Sequence, residues 1–210
     1  WRGSNWKHEI TDRNKKLFDA HFGRAAEILS SFAATAKVSP LLAGASCSLV
    51  VANDQPALQI GNVYERLIDL NPQNTAPMRT LGNLLLPRWF GSYEALELEA
   101  RRTAGRGQDS WGNGGYTWVY FDAMAIDEQA CARVDSKFFL DGLQDILSTD
   151  SSQEMINLLA AYCAVTLPNG GKGTSSAVSN RVEISKAARW LVRSHLRELH
   201  PLIWAHACQG

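Results

Sequence analysis

No stretch of this chain alternates apolar and polar residues at period two, so strands have no support in the sequence. No apolar run reaches the roughly 18 residues that a membrane-crossing helix requires, and no membrane partner is expected. Neither sign of charge is in excess: Lys+Arg is 21 and Asp+Glu is 21. That balance argues against a dedicated polyanion binder, whose domains are basic as a whole, so no specific nucleic acid is expected. The four cysteines, Cys47, Cys131, Cys163 and Cys208, form no Cys-x-x-C pair and no zinc spacing. Three of them sit in apolar helical patterns, where a free thiol behaves as a small hydrophobe. The expectation is a reducing compartment or no dependence on disulfides, with the chain cytoplasmic. No signal peptide is visible, and the chain opens on Trp1 rather than Met, which leaves room for a preceding targeting segment.

Catalytic signatures are missing too. AGASCS (43–48) is not a Gly-x-Ser-x-Gly elbow. NGGKGTSS (169–176) lacks phosphate-loop spacing because Gly173 follows Lys172, and it follows a helical pattern rather than a strand. It reads as a flexible turn, and GNGGYTW (112–118) as a turn between helices. His195 and His200 are five apart and point to different helix faces; His8, His21 and His206 add no Glu at metalloprotease spacing. No catalytic residue, no cofactor and no metal is expected. Asp122, Asp127 and Glu128 are solvated helix faces by default. Converging with a histidine in a cleft, they would make the alternative, an α-helical enzyme.

What the chain does contain is helical periodicity, over and over. Ala25, Ile28, Leu29, Phe32, Ala33 and Ala36 recur at spacings of three and four, which predicts one buried helix face. Ser39-Pro40 opens a second helix that stops near Asn53-Asp54. A third carries Leu58, Val63, Leu67 and Ile68 and stops at Asn71-Pro72. A fourth, with Met78, Leu81, Leu84 and Leu85, is stopped by Pro87. Ser92 caps a fifth that ends in Gly105 and Gly107. An aromatic helix follows Gly114-Gly115, and two more carry Phe138 to Ile146 and Met155 to Cys163. The last long helix runs from Ile184 through Leu191 to Leu196, with Pro201 ending it. The fold class is therefore all-α, about ten helices in antiparallel hairpins with short connectors.

Hairpins in series raise the question of a repeat. LIDLNPQN (67–74) has the form of a unit's second helix closing on a proline, with Tyr64 eight residues before Pro72. Leu81-Gly82 follows ten residues after Pro72, and GSYEALELEA (91–100) has the form of a next second helix. On these residues the chain resembles the tetratricopeptide-repeat family. It departs from the pattern at Ile60, where a small residue is preferred, and at Met78, which stands at the Trp position. LPRWFGSYEAL (86–96) with NLLAAYCA (157–164) is similar to a bacterial tetratricopeptide-like group with a Pro-Arg-Trp-x-Gly-Ser turn. The resemblance implies a short α-solenoid over 23–208, preceded by a lead segment or first helix over 1–22. It implies a non-catalytic scaffold that binds a protein or peptide segment on a concave face.

Candidate contacts follow from composition. Seven Trp is high for 210 residues, and Tyr, Trp and Arg are enriched at binding hot spots. Asn83, Arg88, Tyr116, Trp118 and Tyr120 are the expected groove residues, although Trp118 shares a helical face with Phe121 and Met124 that belongs to a core. Lys186, Arg189, Arg193 and Arg197 fall at spacings of three and four, a basic stripe opposite the last helix's apolar face. A solvated amphipathic helix accounts for it. A regulator docking on an acidic partner through that stripe is a further alternative. In the turn after Leu86, Trp89 and Phe90 are expected to plug the end of the helix stack.

Overall fold

Side-chain caps decide where most helices begin, because each satisfies a backbone N–H that the first turn leaves open. The computed structural model describes residues 11–52, 59–169 and 173–208, and every regular element in them is helical. The predicted all-α fold is what is found.

The chain divides into two compact units, Trp1–Asn71 and Pro72–Gly210. In the first, Thr11 caps α1 (Asp12–Ser30) and Ser39 caps α2 (Pro40–Val51), with Pro40 in the first turn. α3 (Ile60–Leu70) packs on α2 through Cys47, Ile60, Tyr64 and Ile68. The buried face predicted for residues 25–36 is not found: α1 buries no residue, and Ile28 and Phe32 are exposed. Periodicity marks a face able to pack; it does not supply the surface to pack against. α1 spans residue 22, the boundary expected between a lead segment or first helix and the repeat domain. Leu58 and the Asn53-Asp54 stop of the second helix lie outside the described residues, as does His8.

In the second unit, α4 (Ala76–Leu84) and α5 (Tyr93–Arg106) are followed by a short α6 (Gln108–Trp111) and by α7 (Gly114–Ile126). Asp127 caps α8 (Glu128–Arg133), Asp135 caps α9 (Ser136–Thr149) and Ser152 caps α10 (Gln153–Ala161). α10 widens into a turn over Tyr162–Thr166 and closes in α11 (Leu167–Asn169). α12 (Ser175–Trp190), capped by Thr174, widens likewise over Leu191–His195, and α13 (Pro201–Ala207) ends the described chain. The turn predicted at 169–176 lies partly outside the described residues, which omit 170–172.

α7 is the centre of this unit. It is apolar on most sides, with Asp122 its one charged residue, and it packs against α4, α5, α8 and α9. Close approach depends on glycine. A Cβ on Gly82 of α4 would overlap the Val119 carbonyl of α7. One on Gly142 of α9 would overlap the Thr117 hydroxyl, which donates to Phe139 O at 2.9 Å. The last long helix does not reach Leu196 as predicted. It ends at His195, Leu196 is extended, and Pro201 opens a helix instead of closing one.

Candidate functional site

Two side-chain amides stand one turn apart on α10, Gln153 and Asn157, and both face residues 195–204. The Gln153 Nε2 donates to His195 O at 3.2 Å, and its Oε1 accepts from Arg197 N at 2.7 Å and Glu198 N at 2.9 Å. Asn157 Nδ2 donates to Glu198 O at 2.8 Å, and Oδ1 accepts from His200 N at 2.9 Å. Asn157 Oδ1 also accepts from the Trp204 indole at 2.8 Å, and Nδ2 donates to Gln153 O at 2.6 Å. A primary amide has two donors and two acceptor lone pairs, and those of Asn157, which is 0% exposed, are all engaged. The i, i+4 spacing places both amides on one helix face, and the main chain they grip beyond His195 is non-helical as far as His200.

Beside this segment lies a cleft of about 360 Å³ lined by Phe121, Leu158, Tyr162, Leu202, Ile203 and His206, among others. Its aromatic wall is ordered by packing. Phe121 and Tyr162 stack at 3.8 Å, and the Tyr162 hydroxyl donates to Phe121 O at 2.6 Å. Burial pushes the Tyr162 phenol well above its ordinary value, so it is a neutral donor. At the rim, Arg79 grips both oxygens of Asp122, at 3.0 and 2.6 Å, and lies 5.2 Å over the Phe121 ring. The pair leaves the rim close to electroneutral.

The residues expected to line a groove are mostly elsewhere. Tyr116, Trp118 and Tyr120 are 0% exposed, part of the core around α7. They were placed in a groove by composition, but α7 buries ten of its thirteen residues, these three among them. Both phenols donate to Glu97 Oε2 at 2.8 Å, and Arg101 bridges Glu97 and Asp135 above them. Asn83 is half-buried, and its Oδ1 has no partner among the described residues. Arg88 is exposed and donates to Ile126 O at 3.3 Å. Beside it Trp89 is 53% exposed while Phe90 is half-buried, so of the two expected plugs only Phe90 turns inward.

The three carboxylates do not converge. Asp122 is held by Arg79, Asp127 caps α8 while accepting from the Tyr93 hydroxyl, and Glu128 accepts from Thr174 N at 2.6 Å. Among the described residues no cluster of His, Cys, Asp and Glu could hold a metal ion. Lys186 and Arg189 are exposed on α12 and Arg193 on the turn beyond it, with Lys186 paired to Glu183 at 2.6 Å. Arg197 has left the helix, and its guanidinium donates to Ser194 O and Leu196 O. The stripe is therefore three residues long, not four. No described helix is long and apolar enough to cross a membrane.

Gln153, Asn157 and Arg79 are the site residues that sequence reasoning missed. Asn157 carried a signal: an Asn inside the apolar run MINLLAA, where a polar side chain is disfavoured unless satisfied. No family model, curated protein or solved structure matches the chain.

Proposed function

We propose that this chain is a non-catalytic, tetratricopeptide-like helical scaffold that binds a protein or peptide segment, with the α10 face of the second unit as the binding surface. The observation that carries this reading is the Gln153–Asn157 pair. Five of its hydrogen bonds go to main-chain groups, one at His195, where the preceding helix ends, and four in the non-helical segment beyond it, at Arg197, Glu198 twice and His200. Contacts to main chain fix a segment's path while tolerating its sequence, so the same pair could hold an extended peptide. The close approach of α4 to α7 at Gly82 supports the family resemblance, since the Leu-Gly pair stands where a repeat's helix would meet the next. The catalytic alternative loses support from the occupied carboxylates.

A panel of labelled peptides of varied sequence, presented to the full chain and to its Trp204→Ala variant, tests the reading. Capture by either protein that is lost on adding Gln153→Ala is expected. Capture by neither overturns it.

A further inference from the structure

The groove already holds a segment, and that segment belongs to this chain. Resting on the peptide-binding reading, we propose that residues 196–208 are a built-in occupant, displaced by a segment of another protein with the same chemistry. That chemistry is a non-helical stretch whose main chain offers a carbonyl and, two residues on, an N–H, followed by a proline-led turn that carries a tryptophan.

The occupant is held by direction more than by burial. No residue of α13 is buried, and Leu199 and Leu202 are 59% and 85% exposed. Little apolar area is withdrawn from water, so the segment's attachment rests on Gln153, Asn157 and the Trp204 indole. The wide turn at Leu191–His195, closed by Leu196 N donating to Leu191 O at 3.0 Å, separates the segment from α12. Detaching the segment there would leave α12 intact.

Asn157 defines what replaces it. A buried primary amide is costly without partners, so a competing segment has to supply the same set: a carbonyl for Nδ2, and a main-chain N–H and an indole N–H for Oδ1. The cleft defines the rest. Its walls of Phe121, Leu158 and Tyr162 are apolar, and Arg79 and Asp122 cancel each other at its rim. Apolar side chains larger than Leu202 and Ile203 would fill its 360 Å³ better than the resident segment does. A partner needs that gain, because a tethered occupant competes at an effective concentration on the order of millimolar.

The test uses the full chain and a fluorescent peptide with the sequence of residues 195–208, Cys208 replaced by Ser. Trp204→Ala should bind this peptide about tenfold more tightly than the wild type, the expected gain on loosening a tethered competitor. Adding Asn157→Ala should abolish binding. Equal binding by wild type and Trp204→Ala, or binding that survives Asn157→Ala, overturns the proposal while leaving the scaffold reading standing. Should Trp204→Ala fail to fold, amide exchange on the wild type decides. Arg197, Glu198 and His200 should exchange through a local opening that leaves α7 protected; exchange only together with α7 overturns the proposal. Light scattering across concentration is the last arm. A dimer that disappears with Asn157→Ala would seat a second copy's segment in the groove and overturn the assignment to a separate partner.

Discussion

Asn157 and Trp204 lie 47 positions apart and are joined by one hydrogen bond, the indole N–H donating to the amide oxygen at 2.8 Å. The same oxygen receives His200 N, so one atom fixes both the main chain ahead of α13 and the principal side chain within it. Asn157→Ala leaves two N–H groups and the Glu198 carbonyl without that partner. The expected loss is about 1–3 kcal/mol, limited by the segment's freedom to detach into water. Denaturant unfolding checks the magnitude. Limited proteolysis checks the place: cleavage should begin within 196–208, and new cleavage within α7 would contradict it.

Gly82→Ala and Gly105→Ala should act with opposite signs. The new Cβ at 82 would meet backbone of Val119, which cannot rotate away, so α4 and α7 must separate. That is expected to cost about 3 kcal/mol. Gly105 lies in the last turns of α5 with open space around the added methyl, and alanine there is expected to add roughly 0.5 kcal/mol. Melting curves of the two variants beside the wild type are sufficient.

Alkaline titration should unfold the second unit rather than ionise it in place. Burial, with Glu97 beside two of them, raises the phenols of Tyr116, Tyr120 and Tyr162 above the ordinary value of about 10. The unfolded chain ionises at about that ordinary value and the folded one does not, so stability is complete below pH ~10 and falls as pH rises beyond it. Phenolate absorbance from these residues should appear together with loss of helical circular dichroism. Absorbance that precedes the loss of helix would show them accessible and refute the burial argument.

At the acid end the sign reverses. Asp135 caps α9 through Phe138 N and pairs with Arg101, and these contacts hold its carboxyl below the ordinary range. Its contribution is present above the ordinary carboxylate value of about 4 and is lost as pH falls through the lower folded value. Asp135→Ala should cost about 1 kcal/mol at neutral pH, the usual worth of a cap. The gap between variant and wild type should close as the pH falls through the lowered folded value, where the wild-type side chain is protonated as well.

One thiol should react in the native state. Cys208 is exposed, whereas Cys47, Cys131 and Cys163 are buried. Burial pushes Cys47 up to about 11 and Cys163 up to about 12, so neither presents thiolate at neutral pH. Brief alkylation followed by mass spectrometry should find a single modified site, at Cys208. Rapid modification of Cys163 would mean that the wide turn of α10 opens.

The helices themselves were legible because their signals are local. Ser39 and Ser92 stand at the starts of the helices they were expected to open, and Pro87 follows the end of α4. A cap acts on an N–H three residues away, so neighbouring letters contain the whole interaction. The resemblance to the tetratricopeptide-repeat family had singled out the Leu81-Gly82 pair. Which helix Gly82 would face was decided only when α7 came to lie in the middle of its unit.

That central position also decided the fate of the aromatic residues. Composition marked Tyr116, Trp118 and Tyr120 as unusual, and it could not say whether water or protein would surround them. Packing on all sides of α7 made them core, while α1, with an equally regular apolar stripe, buried none of it. The groove belongs wholly to tertiary structure. Gln153 and Asn157 share a helix face by sequence, but the main chain they hold comes from more than 40 positions further on. Hydrogen bonds from a side chain to distant backbone leave no pattern in the partner's residue types, because every residue but proline offers the same N–H and C=O.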